Sequence, residues 1–340
     1  MAKGHRGNPA ASLRIQNLYG APVLFSGCAS LYLSKSEIAV LSHHFKVHLQ
    51  RLLKLKEKTP ECFVLFVAGT LPAEALLHKR QLSLFGMITR LQDNILNKIA
   101  KQILITAPDT TKSWFIQVKK LCILYKLPHP ITLLDSPYEK EAFKTLVHNQ
   151  VLDFWQTKLR DQAKSLPSLI NFHPEYMSLR SPHPLLTTAG SNPFQVNKSL
   201  TQLLMLSGRY RTERLCRHWS QNNNGACKLC TTPDGQAVIE DINHILLLCP
   251  ALSEARQHVL SIWNNNLPQK PISHSIVTHL WQNPAEEMCQ FLLDCSSVPI
   301  VIEATQEHGP QIQPDLFYLT RLWVYSVHRR RQQLLDILKC

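Results

Sequence analysis

The chain has 340 residues, of which 44% are hydrophobic and 18% charged, and this ordinary composition excludes a mostly disordered protein. Its 37 Lys and Arg outnumber 24 Asp and Glu, so the formal net charge of +13 favours polyanionic partners, RNA and/or DNA. Residues 1–20 lack the apolar core of a signal peptide and no run reaches about 18 apolar residues, so we expect an intracellular protein, nuclear or cytoplasmic, with no membrane partner.

The N-terminal part, residues 1–164, is predicted to be a basic helical region. Residues 1–150 alone hold 20 Lys and Arg against 9 Asp and Glu. A capping box at Ser34–Glu37 predicts the start of a first long helix. Further helices are predicted after Thr70, over Trp114–Tyr125 and behind Ser136, the last of them running to about Lys164. The helix predicted after Thr70 carries an apolar stripe formed by Leu84, Ile88, Leu91, Ile95 and Ile99.

Two N-terminal segments do not show a clear helical pattern. Ile15–Ser26 contains Tyr-Gly-Ala-Pro, which favours an extended or turn segment over a helix. Cys62–Val67 is a short apolar run, which predicts a strand or a buried connector. These two segments are therefore the exceptions in an otherwise helical N-terminal region.

Residues 165–197 are predicted to form a Pro-rich linker or an arm laid over a surface, because five prolines are interspersed with Ser and Asn. A C-terminal helical domain is expected over 198–340. Within it, helices are predicted at Lys198–Leu206, Ser253–Trp263 and Pro314–Lys339, and a strand at Val298–Ala304. The sequence thus predicts a mainly α fold: a helical bundle, then a Pro-rich linker, then a small helical domain containing a zinc knuckle.

An arginine-rich stretch leads into that knuckle. If it is helical, Arg211, Arg214 and Arg217 step by three and share one face, with Tyr210 on the same side and Arg209 at its edge. Arginines beside an aromatic ring suit phosphate contact and base stacking, so these five residues are predicted to bind nucleic acid. The alternative is an ordinary basic helix whose aromatic residues pack into the core.

The segment 227–249 has the spacing C-x2-C-x13-H-x4-C, formed by Cys227, Cys230, His244 and Cys249. Two thiolates and a His/Cys pair at these intervals can close a tetrahedron around Zn²⁺, and because protein fills all four positions the site is structural rather than catalytic. Turn-forming residues lie before and between the two pairs. These features predict bound Zn²⁺.

Two alternatives remain open for this segment. His244 and Cys249 lie in an apolar run, and free Cys is among the most often buried residue types, so both can be plain core residues. Cys216 and His218 are nearby and could replace one of the four ligands. Near the C-terminus, Arg329–Arg331 is either a phosphate-contacting or localisation patch or a solvated helix face.

Several motifs, taken in order, resemble the LINE-type (non-LTR) retrotransposon polyproteins, in the part that follows the reverse transcriptase palm. The resemblance covers roughly residues 13–338 and includes a terminal Cys-Cys-His-Cys knuckle. The matching stretches are Leu18–Gly27, Gly69–Pro72, His78–Ile88, Leu127–Pro130, Ser207–Glu213, Glu240–His244 and Cys249–Pro250. The resemblance implies a thumb-like basic region followed by a knuckle that contacts nucleic acid.

The catalytic residues of that family are missing from this chain. A reverse transcriptase needs paired aspartates to hold two metal ions, and the sequence has no Asp-Asp pair. Neither a glycine-rich phosphate loop nor a catalytic triad is visible by spacing, so no small-molecule substrate is predicted. We therefore expect a non-catalytic nucleic-acid-binding fragment; the alternatives are an accessory part of a polymerase whose palm is encoded separately, or a decayed element without selected function.

Overall fold

The computed structural model describes residues 8–91, 94–217, 224–231, 235–282 and 285–338. Helices make up 72% of the described residues and strands 3%, which confirms the predicted mainly α fold. The described strands form one two-stranded antiparallel sheet, β1 (Ala226–Thr231) with β2 (Ala237–Ile239). This hairpin holds the first half of the predicted knuckle.

Helices α1 to α9 occupy the N-terminal half and largely follow the predicted pattern. The capping box opens α3, where the Glu37 backbone N–H donates to the Ser34 hydroxyl and the Glu37 carboxylate accepts from the Ser34 backbone N–H at 2.7 Å. The bounds of these helices are α1 Pro9–Ile15, α2 Ala21–Leu24, α3 Lys35–Leu52, α4 Glu61–Ala68, α5 Ala73–Thr89, α6 Ile95–Thr106, α7 Trp114–Leu124, α8 Pro130–Asp135 and α9 Lys140–Lys164.

Both segments expected to be non-helical are helical, so those predictions are wrong. Between α1 and α2 the chain continues as a π-helical turn, Gln16–Gly20. Pro22 lies in the first turn of α2, where a missing N–H costs no hydrogen bond, so it does not break the helix. The run 62–67 lies in α4, whose residues from Cys62 to Ala68 are all buried. A helix enclosed on every side needs a continuous apolar run, as a buried strand does, and the sequence pattern cannot separate the two.

The predicted apolar stripe after Thr70 is also wrong, because the single helix that it assumes is two separate helices, α5 and α6. α6 begins a new helical phase at Asn94, whose side chain accepts from the Leu96 N–H at 2.9 Å. Ile95 and Ile99 are consequently 70% and 42% exposed, while Ala100 and Leu104 face the core. α9 begins at Lys140 rather than directly behind Ser136, but it ends at Lys164 as predicted.

The segment 165–197 carries its own buried apolar side chains and is not a bare spacer. Its backbone is held by Arg160, which donates to the carbonyls of Pro174, Glu175 and Met177 at 3.1–3.2 Å. The His183 N–H donates to the Val67 carbonyl of α4 at 3.0 Å. On the other side, His183 Nε2 lies 3.4 Å from Asp294 Oδ2, and both side chains are fully buried. The segment therefore contacts both halves of the chain.

Helices α10 to α17 make up the rest, with α11 and α17 packed against each other. The strand predicted at Val298–Ala304 is wrong, since this run lies in α16; Pro299 occupies the first turn, a position where its fixed φ suits a helix. The bounds are α10 Pro184–Thr187, α11 Pro193–Leu206, α12 Glu213–Cys216, α13 Ser253–Asn266, α14 Pro271–Trp281, α15 Ala285–Leu293, α16 Pro299–His308 and α17 Ile312–Ile337.

One cluster of buried apolar residues extends from Leu13 in α1 to Val327 in α17. It includes two of the predicted metal ligands, Cys227 and Cys249, so the knuckle is built onto the core. Taken one at a time, the described helices are too short or too polar to cross a membrane; α4 and α5, bent by 61° at their junction, meet the length and composition criteria as a pair.

Candidate metal centre

The hairpin β1–β2 presents the first two cysteines. Before it, Gly225 has a φ of +80°, and the Asn224 side chain accepts from the Ala226 N–H at 2.9 Å. The strand register is irregular between Ala226 and Thr231, and the Leu229 N–H donates to Cys227 Sγ at 3.4 Å. This local turn brings Cys227 and Cys230 to the same side, which a regular strand would not do for residues three apart.

His244 and Cys249 come from a single helical turn, His244–Leu248. Asp241 caps this turn, since its Oδ1 accepts from the His244 N–H at 2.8 Å. The Cys249 N–H donates to the His244 carbonyl at 2.7 Å. These bonds place both side chains towards the hairpin.

The structure brings together all four residues that the sequence selects as ligands. The ligand atoms of Cys227, Cys230, His244 and Cys249 all lie within 4.8 Å of one another. Cys227 Sγ is 4.0 Å from Cys249 Sγ, and Cys230 Sγ is 3.3 Å from His244 Nε2. The four residues form a cluster that can hold a metal ion. Cys216, the alternative ligand within the described residues, is not a member of the cluster, and His218 lies outside the described residues.

The pKa values of the three thiols in this cluster are shifted in different directions. A hydrogen bond to Cys249, together with burial, raises the pKa of Cys227 to about 12, and the same bond lowers the pKa of Cys249. Burial raises the pKa of Cys230. Since a metal binds thiolates, metal binding releases these protons, and affinity for the metal increases with pH.

A buried ion pair supports the centre from behind. Glu240, 1% exposed at the side chain, accepts from Arg331 Nη2 at 2.7 Å and Nε at 3.0 Å. The same carboxylate accepts from the Glu213 N–H at 2.7 Å, and its Oε1 lies 3.8 Å from Cys227 Sγ. Arg331 belongs to α17, so this pair connects the first cysteine to the long C-terminal helix.

The second ligand pair is attached to the same helices. Arg256 of α13 donates through Nη2 to the Cys249 carbonyl at 2.7 Å, and Trp323 of α17 donates to the Leu246 carbonyl at 3.1 Å. Sequence reasoning did not connect Glu240, Arg331 or Arg256 with the metal cluster. No local pattern could have found them, because Glu240 and Arg331 are 91 residues apart in the chain.

The arginine-rich stretch does not form one helical stripe. α12 contains only Glu213–Cys216, with Thr212 as its N-cap, so Arg211 precedes the helix. Arg211, Arg214 and Arg217 are nevertheless all exposed, and Arg214 Nη1 lies 3.5 Å from Asp241 Oδ2. The three arginines that the sequence predicted to contact phosphate are therefore exposed to solvent beside the cluster.

Tyr210 and Arg209 do not share this exposure. Tyr210 is 4% exposed, its hydroxyl lies 2.8 Å from His328 Nδ1, and the Arg331 guanidinium lies 5.6 Å from its ring centre. The predicted stacking role of Tyr210 is wrong, because tertiary packing takes the ring into the core. Arg209 is half-buried, and its carbonyl accepts from Lys56 Nζ at 2.9 Å.

The Arg329–Arg331 triplet is likewise divided by packing. Arg331 is buried against Glu240, Arg330 donates to Glu254 Oε2 at 2.7 Å, and Arg329 alone is fully exposed. The triplet is neither a continuous basic patch nor a wholly solvated face.

No protein-family model matches this chain, and neither a curated protein nor a solved structure matches it. Its function is therefore inferred from its own residues.

Proposed function

We propose that this chain binds Zn²⁺ through Cys227, Cys230, His244 and Cys249, and binds RNA or DNA through the basic surface beside that centre. It would act as a non-catalytic, nucleic-acid-binding part of a LINE-type retrotransposon reverse transcriptase. The observation that supports the proposal most strongly is the convergence of four soft or borderline ligand atoms within 4.8 Å.

The distances fit a tetrahedral zinc site. Tetrahedral Zn²⁺ with Zn–S near ~2.3 Å and Zn–N near ~2.0 Å requires S···S of about 3.8 Å and S···N of about 3.5 Å. The separations of 4.0 Å for the Cys227–Cys249 pair and 3.3 Å for the Cys230–His244 pair lie close to these values. Three thiols and an imidazole exclude Mg²⁺ and Ca²⁺, which prefer oxygen ligands.

The nucleic-acid surface comprises Arg211, Arg214, Arg217 and Lys228, all exposed around the cluster. Arg214 pairs with Asp241, but its side chain is 65% exposed, and an exposed pair contributes only about 0–1 kcal/mol. Phosphate oxygens can therefore compete for this guanidinium. Lys228 is 59% exposed but pairs at 3.0 Å with Glu213, whose side chain is only 8% exposed, so Lys228 is held more firmly than Arg214.

Metal content tests the first half of the proposal. Purified wild-type chain should carry one zinc per molecule, and Cys230→Ser should lose most of it. Cys216→Ser is the matched control, because Cys216 is buried close by in sequence but lies outside the cluster. Equal zinc content in wild type and Cys230→Ser would refute the ligand assignment.

Salt-dependent binding tests the second half. Anisotropy titrations with labelled RNA and DNA give the slope of the logarithm of the association constant against the logarithm of the salt concentration. The magnitude of this slope should decrease by roughly 0.7–0.9 for each phosphate contact removed. The triple variant Arg211→Gln, Arg214→Gln, Arg217→Gln should therefore lower the slope by about 2–3 and weaken binding. Arg329→Gln is the control, since Arg329 is exposed on α17. A triple variant that binds like wild type would refute this surface.

A further inference from the structure

A cavity of about 350 Å³ adjoins the metal cluster, enclosed by α13, α14, α15, α17 and the turn that carries His244. Apolar and aromatic side chains make up most of its wall, and three of them are Leu247, Trp281 and Trp323. Leu247 lies in the turn between the two ligands His244 and Cys249, so the cavity and the metal centre share a wall.

Two tryptophans give the cavity planar surfaces. Trp323 is fully buried, whereas Trp281 is 48% exposed, which places it at the opening. Their ring centres are 5.7 Å apart with the planes at 68°. A tryptophan ring that remains half in water above an apolar cavity offers its face to a planar ligand.

Arg256 adds an unused donor. It lines the cavity, and while Nη2 donates to the Cys249 carbonyl, Nη1 is buried with no hydrogen-bond partner among the described residues. A buried donor without a partner is costly, and a ligand acceptor that the guanidinium turns to meet would remove that cost. The cavity wall holds one cation, Arg256, and no carboxylate. Its charge therefore complements an anionic ligand.

We propose that this cavity binds one unpaired nucleobase of a single strand, stacked on Trp281 and accepting a hydrogen bond from Arg256 Nη1. This inference rests on the proposed nucleic-acid-binding function and specifies the form of its ligand. A base combines a planar apolar face with carbonyl and ring-nitrogen acceptors, and its phosphate provides the negative charge. An aliphatic side chain would leave Nη1 unpaired, and a base stacked inside a duplex cannot enter.

Two oligonucleotides of equal charge test the proposal on the full chain. One is a 12-mer of thymidylates, and the other is a 12-mer of the same backbone without bases. The wild type should bind the first more tightly, and Trp281→Ala should weaken that binding by roughly 10-fold while leaving the baseless strand unaffected. Trp281→Phe keeps a stacking face and should stay within about threefold of wild type.

Two further variants separate stacking from a general loss of structure. Ala285→Leu narrows the cavity without removing a packed ring, and it should reproduce the base-dependent loss. Tyr318→Ala removes an aromatic side chain that is 43% exposed but does not line the cavity, and it should bind both strands like wild type. Zinc content and melting temperature of each variant establish that the fold is kept.

The outcomes distinguish this inference from the proposed function. Suppose that the wild type binds both strands and that the Trp281 and Ala285 variants either lose the same affinity for both strands or lose none. The cavity then does not bind a base and the inference is wrong, while the proposed basic surface is unaffected. A cavity that takes a protein side chain would give this same result. If the wild type binds neither strand but binds labelled duplex RNA or DNA, the inference is wrong and the proposed function stands; if it binds no nucleic acid at any salt concentration, both are wrong.

Discussion

Arg331→Met should destabilise the protein strongly, because Arg331 is the buried partner of Glu240 behind the metal cluster. The substitution leaves the Glu240 carboxylate buried at 1% exposure, with the Glu213 N–H as its remaining strong donor. Removing one partner of a buried ion pair costs about 3–5 kcal/mol, because the other charge stays buried without compensation. This is a large share of the roughly 5–15 kcal/mol by which folded proteins are stable.

The expected change in melting temperature follows from chain length. An unfolding entropy of about 2.1 cal/mol/K per residue gives roughly 0.7 kcal/mol/K for 340 residues. A loss of 3–5 kcal/mol then lowers Tm by about 4–7 °C if the chain unfolds cooperatively. Differential scanning calorimetry of wild type and variant measures this shift directly.

Arg329→Met is the matched control, because it makes the same replacement two residues away in α17 at an exposed position. It should change stability by no more than about 0.5 kcal/mol. The double variant Arg331→Met, Glu240→Gln should recover part of the loss, since a neutral amide still accepts from Glu213 and leaves no buried charge. Equal Tm values for Arg331→Met and Arg329→Met would refute the reasoning.

Three other predictions use the same purified chain. Burial lowers the pKa of His78 to about 4, so as the pH falls the unfolded chain takes up a proton on this imidazole before the folded chain does. The free energy of unfolding should therefore fall by about 2–3 kcal/mol between pH 6.5 and pH 4. His78→Gln should flatten that pH dependence, as measured by urea denaturation. Gly69→Ala should cost several kcal/mol more than Gly190→Ala, because both have a φ near +60° but a Cβ at Gly69 would lie 2.0 Å from the Ser181 carbonyl, whereas Gly190 faces open space. Chelating zinc should lower Tm in wild type and leave Cys230→Ser unchanged, as followed by dye-based melts.

Local sequence predicted the longest helices but missed many of the shorter ones and misjudged where apolar residues would lie. The capping box at Ser34 and the apolar spacing of α9 carry their information within a few residues, so both helices were predictable. Ile95 and Ile99 fit an apolar stripe in sequence, yet the break before Asn94 turns them outward. A helical phase can be extrapolated only while the helix continues, and the break depends on packing.

The four candidate metal ligands were predictable because their spacing is itself a geometric constraint. Cys227 and Cys230 on one turn and His244 and Cys249 on another need only one contact between two short segments to form the cluster. The supporting residues Glu240, Arg331 and Arg256 come from separate elements, and no spacing rule connects them. The exposure of the residues predicted to bind nucleic acid also depends on packing, which buries Tyr210 and leaves Arg214 in solvent; packing likewise buries Arg331.

By itself, the sequence determined the mainly α fold, the basic charge and which four residues cluster as candidate ligands, because periodicity, composition and short-range spacing are local properties. Tertiary structure alone decided which basic residues face solvent, how the proline-rich segment contacts both halves, and that a tryptophan-lined cavity adjoins the metal cluster. These features arise from contacts between residues tens to more than a hundred positions apart, and close packing of the whole core selects them.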